Sequence, residues 1–558
     1  MKTKFINVVL VGVLLFTSIA FSSCNDALIE EPFGNPTTEE MLQNEENFIL
    51  LVGQVYSEMK WLHDHWGYWG LNTLSADEAM CPLRNPGAHW SDSDYWQNLS
   101  THEWDANGLA FKYVWETCNA GAVLCNKVLA QLESKKDDLD PALYDRFVAE
   151  LKVVRAYYYY TLFDCFGRIP YSESFEIAYV PQSTPEEVWE RLVSELEENT
   201  PKLPVANVPS KAANYGRVTQ GLGNALLARL YLNAESYDVS ATKLATYDVY
   251  NKCITACDRV IDSEVYQIEP NFFTNFAINN ENSKENIFVI VENGNANFDY
   301  RDIPGKMANK LRITMLTLHY SHQQLWGLLE KPWNGFCAPE DFISKYAPED
   351  VRGLCDASLG TNDTERRGWF VGPVYDKNGN IAKDENGVDV VITSTIYSGA
   401  DYAVPATSIT DVSWNSGARL LKYEVEKNST INKYCENDFV LFRYADVLYM
   451  KAEAILRGGT GSLSDLLDRA DFQLIRTRAN LTPYTVGTLT LDELYDERGR
   501  EFAWENVRRR DMIRFGTFIN STWQFKTITG QTYRKWFPIN KEILGSEPRW
   551  TQNDGYVE

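Results

Sequence analysis

Residues 143–166 read LYDRFVAELKVVRAYYYYTLFDCF. Phe147, Leu151, Val154, Tyr158, Leu162 and Phe166 recur every three or four positions, a spacing that lines side chains along one face of an α-helix. Gly167 supplies a C-terminal stop and Pro170 enforces it. Tyr157 to Tyr160 turn all the way round that helix, so part of the run must pack against other helices. The same periodicity returns over Gln220–Ala234, Tyr247–Ile261, Phe439–Leu456 (closed by Gly458 and Gly459), Leu463–Arg478 and Leu491–Phe515. Gly221, Ala225 and Ala228 are small enough to let helix backbones approach closely.

Helix, short turn, helix, with small residues at the contacts, resembles degenerate tetratricopeptide pairs, although the period is irregular. The fold class expected is mainly α: tetratricopeptide-like helix pairs forming a scaffold, with long irregular loops and a few short hairpins. Residues 61–110 and 265–435 carry the irregular stretches, and Asn378-Gly379 and Asn386-Gly387 signal tight hairpin turns. Loops this long in a compact protein are usually functional.

The chain has 558 residues, 44% hydrophobic and 23% charged, which excludes wholesale disorder, collagen and a multi-span membrane protein. Its formal net charge of −24 repels phosphate backbones, so no nucleic-acid partner is expected. Lys2 and Lys4 precede the apolar run Val8–Phe16 and the segment Phe21-Ser22-Ser23-Cys24. This reads as a signal peptide over 1–23 with a lipobox, which makes Cys24 the lipidated first residue of a mature chain over 24–558. Within it, parts 24–290 and 291–558 are expected to fold as one unit. Several acyl chains on Cys24 would tether the protein stably. Asp26, Glu30 and Glu31 follow Cys24, resembling the export signal of surface lipoproteins.

The nine remaining cysteines are spread along the chain and read as buried, inert thiols rather than a disulfide scaffold or metal pairs. His63-x-His65 and His319-x-x-His322 lack an obvious third metal ligand. Asp376 to Asn380 departs from the calcium-loop pattern and reads as a turn. No cofactor is expected; calcium is possible through oxygen ligands without a motif, but nothing indicates it. Arg508-Arg509-Arg510-Asp511 lies close to Glu497, Glu501 and Glu505, which favours an ion-paired helix face over a nucleic-acid patch.

The compositional oddity is aromatic. Six of the sixteen tryptophans fall between Trp61 and Trp104, joined by Tyr68 and Tyr95. Flat rings suit stacking on the apolar face of a sugar at small entropic cost. Asp77, Arg84, Asp92 and Asn98 are placed to read hydroxyls. A second aromatic group holds Phe298, Tyr300, Trp326 and Trp333.

Several motifs then agree in order. They are Asp77-Glu78, Pro82, Arg84, Trp90, Asp92 and Trp96; Arg155-Ala156-Tyr157-Tyr158 through Phe166-Gly167-Arg168-Ile169-Pro170; and Arg443-Tyr444-Ala445-Asp446-Val447-Leu448 with Lys451-Ala452-Glu453-Ala454. Glu497-Arg498, Glu501-Phe502-Ala503, Arg508, Asp511, Arg514-Phe515-Gly516, Trp536-Phe537-Pro538-Ile539 and Gln552 to Tyr556 complete the set. On these residues the chain resembles the SusD/RagB family of outer-membrane lipoproteins, with Asp446 where Glu is usual and Asp554 where Pro is common. The resemblance implies a surface-exposed lipoprotein of the cell outer membrane, held there by its lipid anchor. It implies a SusC-like TonB-dependent transporter as partner and a nutrient, usually a glycan, as ligand.

The expected function is non-catalytic capture of oligo- or polysaccharide by aromatic stacking, followed by transfer to the transporter. The expected ligand-binding residues are Trp90, Trp96, Asp77, Arg84, Trp66, Trp69, Tyr95, Tyr300 and Trp326. A peptide-binding member of the same family is the alternative, and a surface glycoside hydrolase the second. A hydrolase needs two carboxyls held ~5–10 Å apart across a cleft, which sequence neighbours do not supply.

Overall fold

The computed structural model describes residues 45–85, 90, 92–205, 215–292, 313–353, 367–376, 378–384, 387–399, 403–428 and 436–557. Cys24, Phe298, Tyr300, Cys355, Asn386 and Cys435 lie outside the described residues. One compact unit ends at Gln54, and within it helix α1 (Glu45–Gly53) is described. Val55–Glu558 form the other.

This larger unit is mainly helical. Its elements include α2 (Tyr68–Leu74), α3 (Tyr95–Thr101), α4 (Leu109–Glu133), α5 (Pro141–Phe166), α6 (Pro185–Asn199), α7 (Gln220–Leu232) and α8 (Val249–Ile261). Later come α9 (Tyr444–Leu456), α10 (Leu491–Glu501) and α11 (Arg508–Arg514). From α4 to α10 each of these helices packs against the next, as expected of tetratricopeptide-like pairs. The ends are set locally. Asp140 accepts from the amides of Ala142 and Leu143 and Pro141 opens α5, while Gly167 closes it at φ 68°. Thr184 and Glu187 form a reciprocal capping box on α6. Gly221 is required by packing: a Cβ there would lie 2.1 Å from the Tyr266 hydroxyl. Tyr157 to Tyr160 are all buried, and the Tyr158 hydroxyl donates to the Val55 carbonyl at 2.5 Å.

Strand content is small: β1 (Arg84–Asn85), β2 (Asn286–Ile290), β3 (Val412–Ser413), β4 (Arg419–Leu421) and β5 (Phe439–Arg443) among others. β1 pairs parallel with β3, and β2 antiparallel with β5. The expected helix over Phe439–Leu456 is therefore half right. Phe439–Arg443 is a wholly buried strand and the helix begins at Tyr444, because a short apolar run has no period to tell strand from helix. The expected Leu463–Arg478 helix is two, Leu463–Leu467 and Ala470–Thr477, divided where Arg469 turns extended. The expected Leu491–Phe515 helix divides into α10 and α11. Trp504 and Asn506 between them stand at φ 62°, held by bonds from the Trp504 backbone amide and indole N–H to Glu78. Residues 61–110 are less irregular than expected, since they contain α2, α3 and the start of α4. Gly379 and Gly387 sit at φ 81° and 78° in tight turns, and the Asp376 carboxylate accepts from the Asn378 and Asn380 amides.

Arg508, Arg509 and Arg510 form no surface face. All three are buried, Arg508 on Asp77 and the other two on Asp164. Cys81, Cys118, Cys125, Cys165, Cys253, Cys257 and Cys337 are buried free thiols. Among the described residues no helix is long and apolar enough to cross a membrane, and no three His, Cys, Asp or Glu side chains group to hold a metal.

Candidate functional site

The two aromatic groups of the sequence meet in one cluster, with Trp96 at its hub. The buried Trp96 ring lies 4.4 Å from Trp66, 4.9 Å from Tyr95, 5.5 Å from Trp90 and 5.5 Å from His65 (ring centroids). On one side Trp66 stacks on Tyr95 at 5.3 Å and 17°, and the exposed Tyr113 of α4 meets Trp66 edge-on. On the other, Trp90 stacks on Phe336 at 5.4 Å and 15° and meets Trp333 edge-on at 5.0 Å. Trp66, Trp90, Tyr95 and Trp333 are half-buried, so the cluster's margin reaches solvent.

The backbone that presents Trp90 and leads into α3 is unusual. Trp90, Asp92, Ser93 and Asp94 have φ of 54°, 42°, 57° and 64°, a region that side chains other than glycine rarely occupy. Such strain persists only where the surroundings over-determine it, and it concentrates at ligand clamps. Here the surroundings are visible. Asp92 accepts from the Trp96 indole N–H at 2.5 Å, pinning the loop to α3. Gly335 leaves room for Trp90, since a Cβ there would lie 2.0 Å from its ring. Asp64 accepts from the Trp66 amide and pairs with His65. Asp92, Ser93 and Asp94 are themselves exposed beside the rings, within reach of polar groups on a ligand.

Several expected ligand contacts are not available for that role. Trp96 and Trp69 are fully enclosed; Trp69 donates its indole N–H to the Trp504 carbonyl and stacks on Phe336. Trp326 is core, packed with Leu318, Phe370, Ile392 and Leu421. Arg84 is buried and donates to the carbonyls of Asn334, Gly335, Ser413 and Ser416. Asp77 is tied to Arg508 through two bonds of 2.6 and 2.7 Å. The physical reason is common to all five: an indole, guanidinium or carboxylate is as useful inside, if its polar atoms are satisfied, as on a ligand surface. Trp66, Trp90 and Tyr95 remain at the margin, and Tyr300 lies outside the described residues. His65, Tyr113, Trp333 and Phe336 complete the cluster. Of these Trp333 was visible in the second aromatic group, while the other three carry no sequence signal.

Nearby titratable groups are set for structure. Burial pushes the Glu78 carboxyl up to about 8 and the His63 imidazole down to about 3, so both stay uncharged at neutral pH.

Known proteins share this architecture. The family model described as "SusD family" matches residues 329–556, and the one described as "Starch-binding associating with outer membrane" matches 71–232. Starch-binding protein SusD of Bacteroides thetaiotaomicron is 24% identical over 508 residues, covering 87% of this chain and 84% of that protein. Surface glycan-binding protein A from Bacteroides uniformis superposes with a TM-score of 0.67 at 19% identity, over 91% of this chain and 99% of that one. Surface glycan-binding protein A from Bacteroides thetaiotaomicron in complex with laminarihexaose superposes with a TM-score of 0.65 at 20% identity, over 91% and 99%. With family models matching on both sides of the chain and a curated relative aligned along most of it, the protein belongs to the SusD/RagB family.

Proposed function

We propose that this protein is a cell-surface glycan-binding lipoprotein that captures oligo- or polysaccharide without cutting it. The observation that carries the reading is the half-buried ring margin of Trp66, Tyr95, Trp90 and Trp333, braced from beneath by Trp96, with Trp90 held on a left-handed run of residues. The two sides of the margin offer successive sugar rings separate stacking faces, and Asp92 and Asp94 offer acceptors to hydroxyls. The family's starch- and laminarin-binding members support a glucan as the first ligand class to test. Binding without hydrolysis agrees with the state of the deeper carboxylates: Asp77 and Asp164 are locked on arginines rather than held across an open cleft.

The full reading places the protein at the outer membrane through acylated Cys24, above a SusC-like TonB-dependent transporter to which it passes its ligand. The sequence around Cys24 and the family resemblance support this. Fractionation of a Cys24→Ala variant tests the anchor, which fails if the variant stays in the membrane fraction. Co-purification with the neighbouring transporter tests the partnership.

Calorimetry with starch and laminarin oligosaccharides and with a peptide library tests the ligand class. Glycan binding that weakens at least ~10-fold in Trp66→Ala supports the proposal. Peptide binding with no glycan binding replaces it by the peptide-capture alternative, and reducing-sugar release would revive the hydrolase.

A further inference from the structure

The loop between α5 and α6 carries a concentration of exposed apolar side chains that the ring margin does not use. Ile177 is fully exposed, and Phe175 and Tyr179 on either side of it are 41% and 42% exposed. Single exposed apolar residues are ordinary, but a group of them held together at the surface marks a place where another molecule sits. The loop is fastened. Ile169-Pro170 pairs antiparallel with Gln182-Ser183 across its base. The Asn126 amide of α4 donates to the carbonyls of Ser172 and Ser174 at 3.0 and 3.2 Å, and the Trp550 indole N–H donates to the Val180 carbonyl at 2.9 Å. The Arg549 guanidinium lies 3.8 Å over the Tyr179 ring. With both of its sides tied down, the apolar tip is kept out of the core.

The tip is linked to the ligand margin through α4. One side of the loop is bound to Asn126, and the other reaches Trp550, whose ring lies 5.6 Å from Trp115, so the loop runs back along that helix. Beside it lies the exposed stripe of α4, where Tyr113, Ala120 and Val123 face solvent. Their spacing of seven and three places them on one helix face. At about 1.5 Å per residue the stripe covers ~15 Å from Val123 to Tyr113. Tyr113 is the ring that meets Trp66 edge-on.

We propose that the Phe175–Tyr179 tip and the exposed α4 stripe are the surface on which the outer-membrane transporter docks. The inference rests on the transporter partnership proposed above and gives it a place on this chain. Glu116, Glu173 and Glu176 are exposed around the patch against Lys127, while Lys112 and Arg549 are paired with Glu542 and Glu547. The complementary surface therefore offers apolar contact rimmed by basic groups. A second copy of this chain would bring the same carboxylates face to face, and anionic lipid headgroups would be repelled by them. Extracellular loops of the transporter seated here would stand beside Tyr113, so a glycan leaving the rings would have a short way to travel.

The test uses the full-length protein, tagged and co-expressed with the neighbouring transporter, and measures how much transporter it retains in detergent. Ile177→Asp is expected to retain at least ~10-fold less than wild type, with an unchanged unfolding midpoint because the side chain touches solvent alone. Val486→Asp, at a residue 57% exposed in the turn before α10, is expected to retain as much as wild type. Equal retention by Ile177→Asp and wild type overturns the inference and leaves the partnership standing. An equal loss in Val486→Asp overturns it too, since any added charge would then do. If wild type retains no transporter, the partnership falls and the inference with it. A wild-type dimer in sedimentation that Ile177→Asp abolishes would assign the patch to a second copy. Binding to phosphatidylglycerol vesicles that Ile177→Asp abolishes would assign it to a lipid surface, and either result displaces the transporter as occupant.

Discussion

The surroundings of Glu501 and of Trp96 are built from opposite materials. Glu501 receives Arg352, Arg443 and Arg478 at 2.7, 2.8 and 2.7 Å, and those arginines continue to Asp350, Glu497, Glu285 and Glu505. All these side chains are buried. Each bond has a direction, and Glu497 and Glu501 stand on the regular helix α10 while Arg443 ends strand β5. Trp96 is surrounded by rings at many angles, over a backbone with four residues in the left-handed region. Directional ion pairs register regular elements against one another and leave no side chain over for a ligand. Ring packing is less demanding in angle, tolerates a distorted loop and leaves ring edges at the surface. On this account the first region is scaffold and the second is site.

The largest effect should come from the ionic side. Glu501→Ala leaves three buried guanidiniums short of a partner and is expected to cost ~3–5 kcal/mol in urea unfolding. A cost under ~1 kcal/mol would break the comparison, because it would mean the lattice is dispensable. Trp96→Ala is expected to cost ~3–5 kcal/mol as well, by opening a large cavity, and to abolish glycan binding with it.

Acid should separate the two regions. Burial alone would raise Asp446 and Glu497, but Arg498 and Arg229 around the first and Arg352, Arg500 and Arg476 around the second hold both carboxyls at about 2. A carboxyl depressed in the folded state stabilises it above the unfolded value of ~4, and that contribution fades as pH falls toward 2. Each should contribute on the order of 2–3 kcal/mol at neutral pH. Thermal midpoints measured from pH 5 to pH 2 are expected to fall steeply, and equally in wild type and Trp66→Ala. A flat profile would show that the lattice is not what holds the fold.

Trp66→Ala sharpens the other side. Glycan affinity is expected to drop ~10- to 100-fold by calorimetry while stability changes by under ~1 kcal/mol. Equal losses in both would reduce Trp66 to core packing. The smallest effect is expected at a turn remote from either region: Gly379→Ala, at φ 81°, should cost ~1 kcal/mol and leave binding untouched.

Much of this protein can be read from local chemistry. The α5 stripe, its Asp140 and Gly167 ends and the small residues of α7 depend on neighbours within a few positions, where side-chain spacing and backbone preference act directly. The ordered motifs from Asp77 to Tyr556 carried the family, and the crowd of tryptophans marked the segment that contributes most rings to the aromatic cluster. Which ring faces water is a different kind of question. Trp69 is covered by Phe336 and Trp504, Trp90 depends on the space left by Gly335, and Asp77 is claimed by Arg508, 431 positions away. Nothing near Trp96 in the chain distinguishes it from Trp66, yet one is a hub and the other a margin. Burial is the sum of contacts from remote segments, so only the packed molecule could assign those roles.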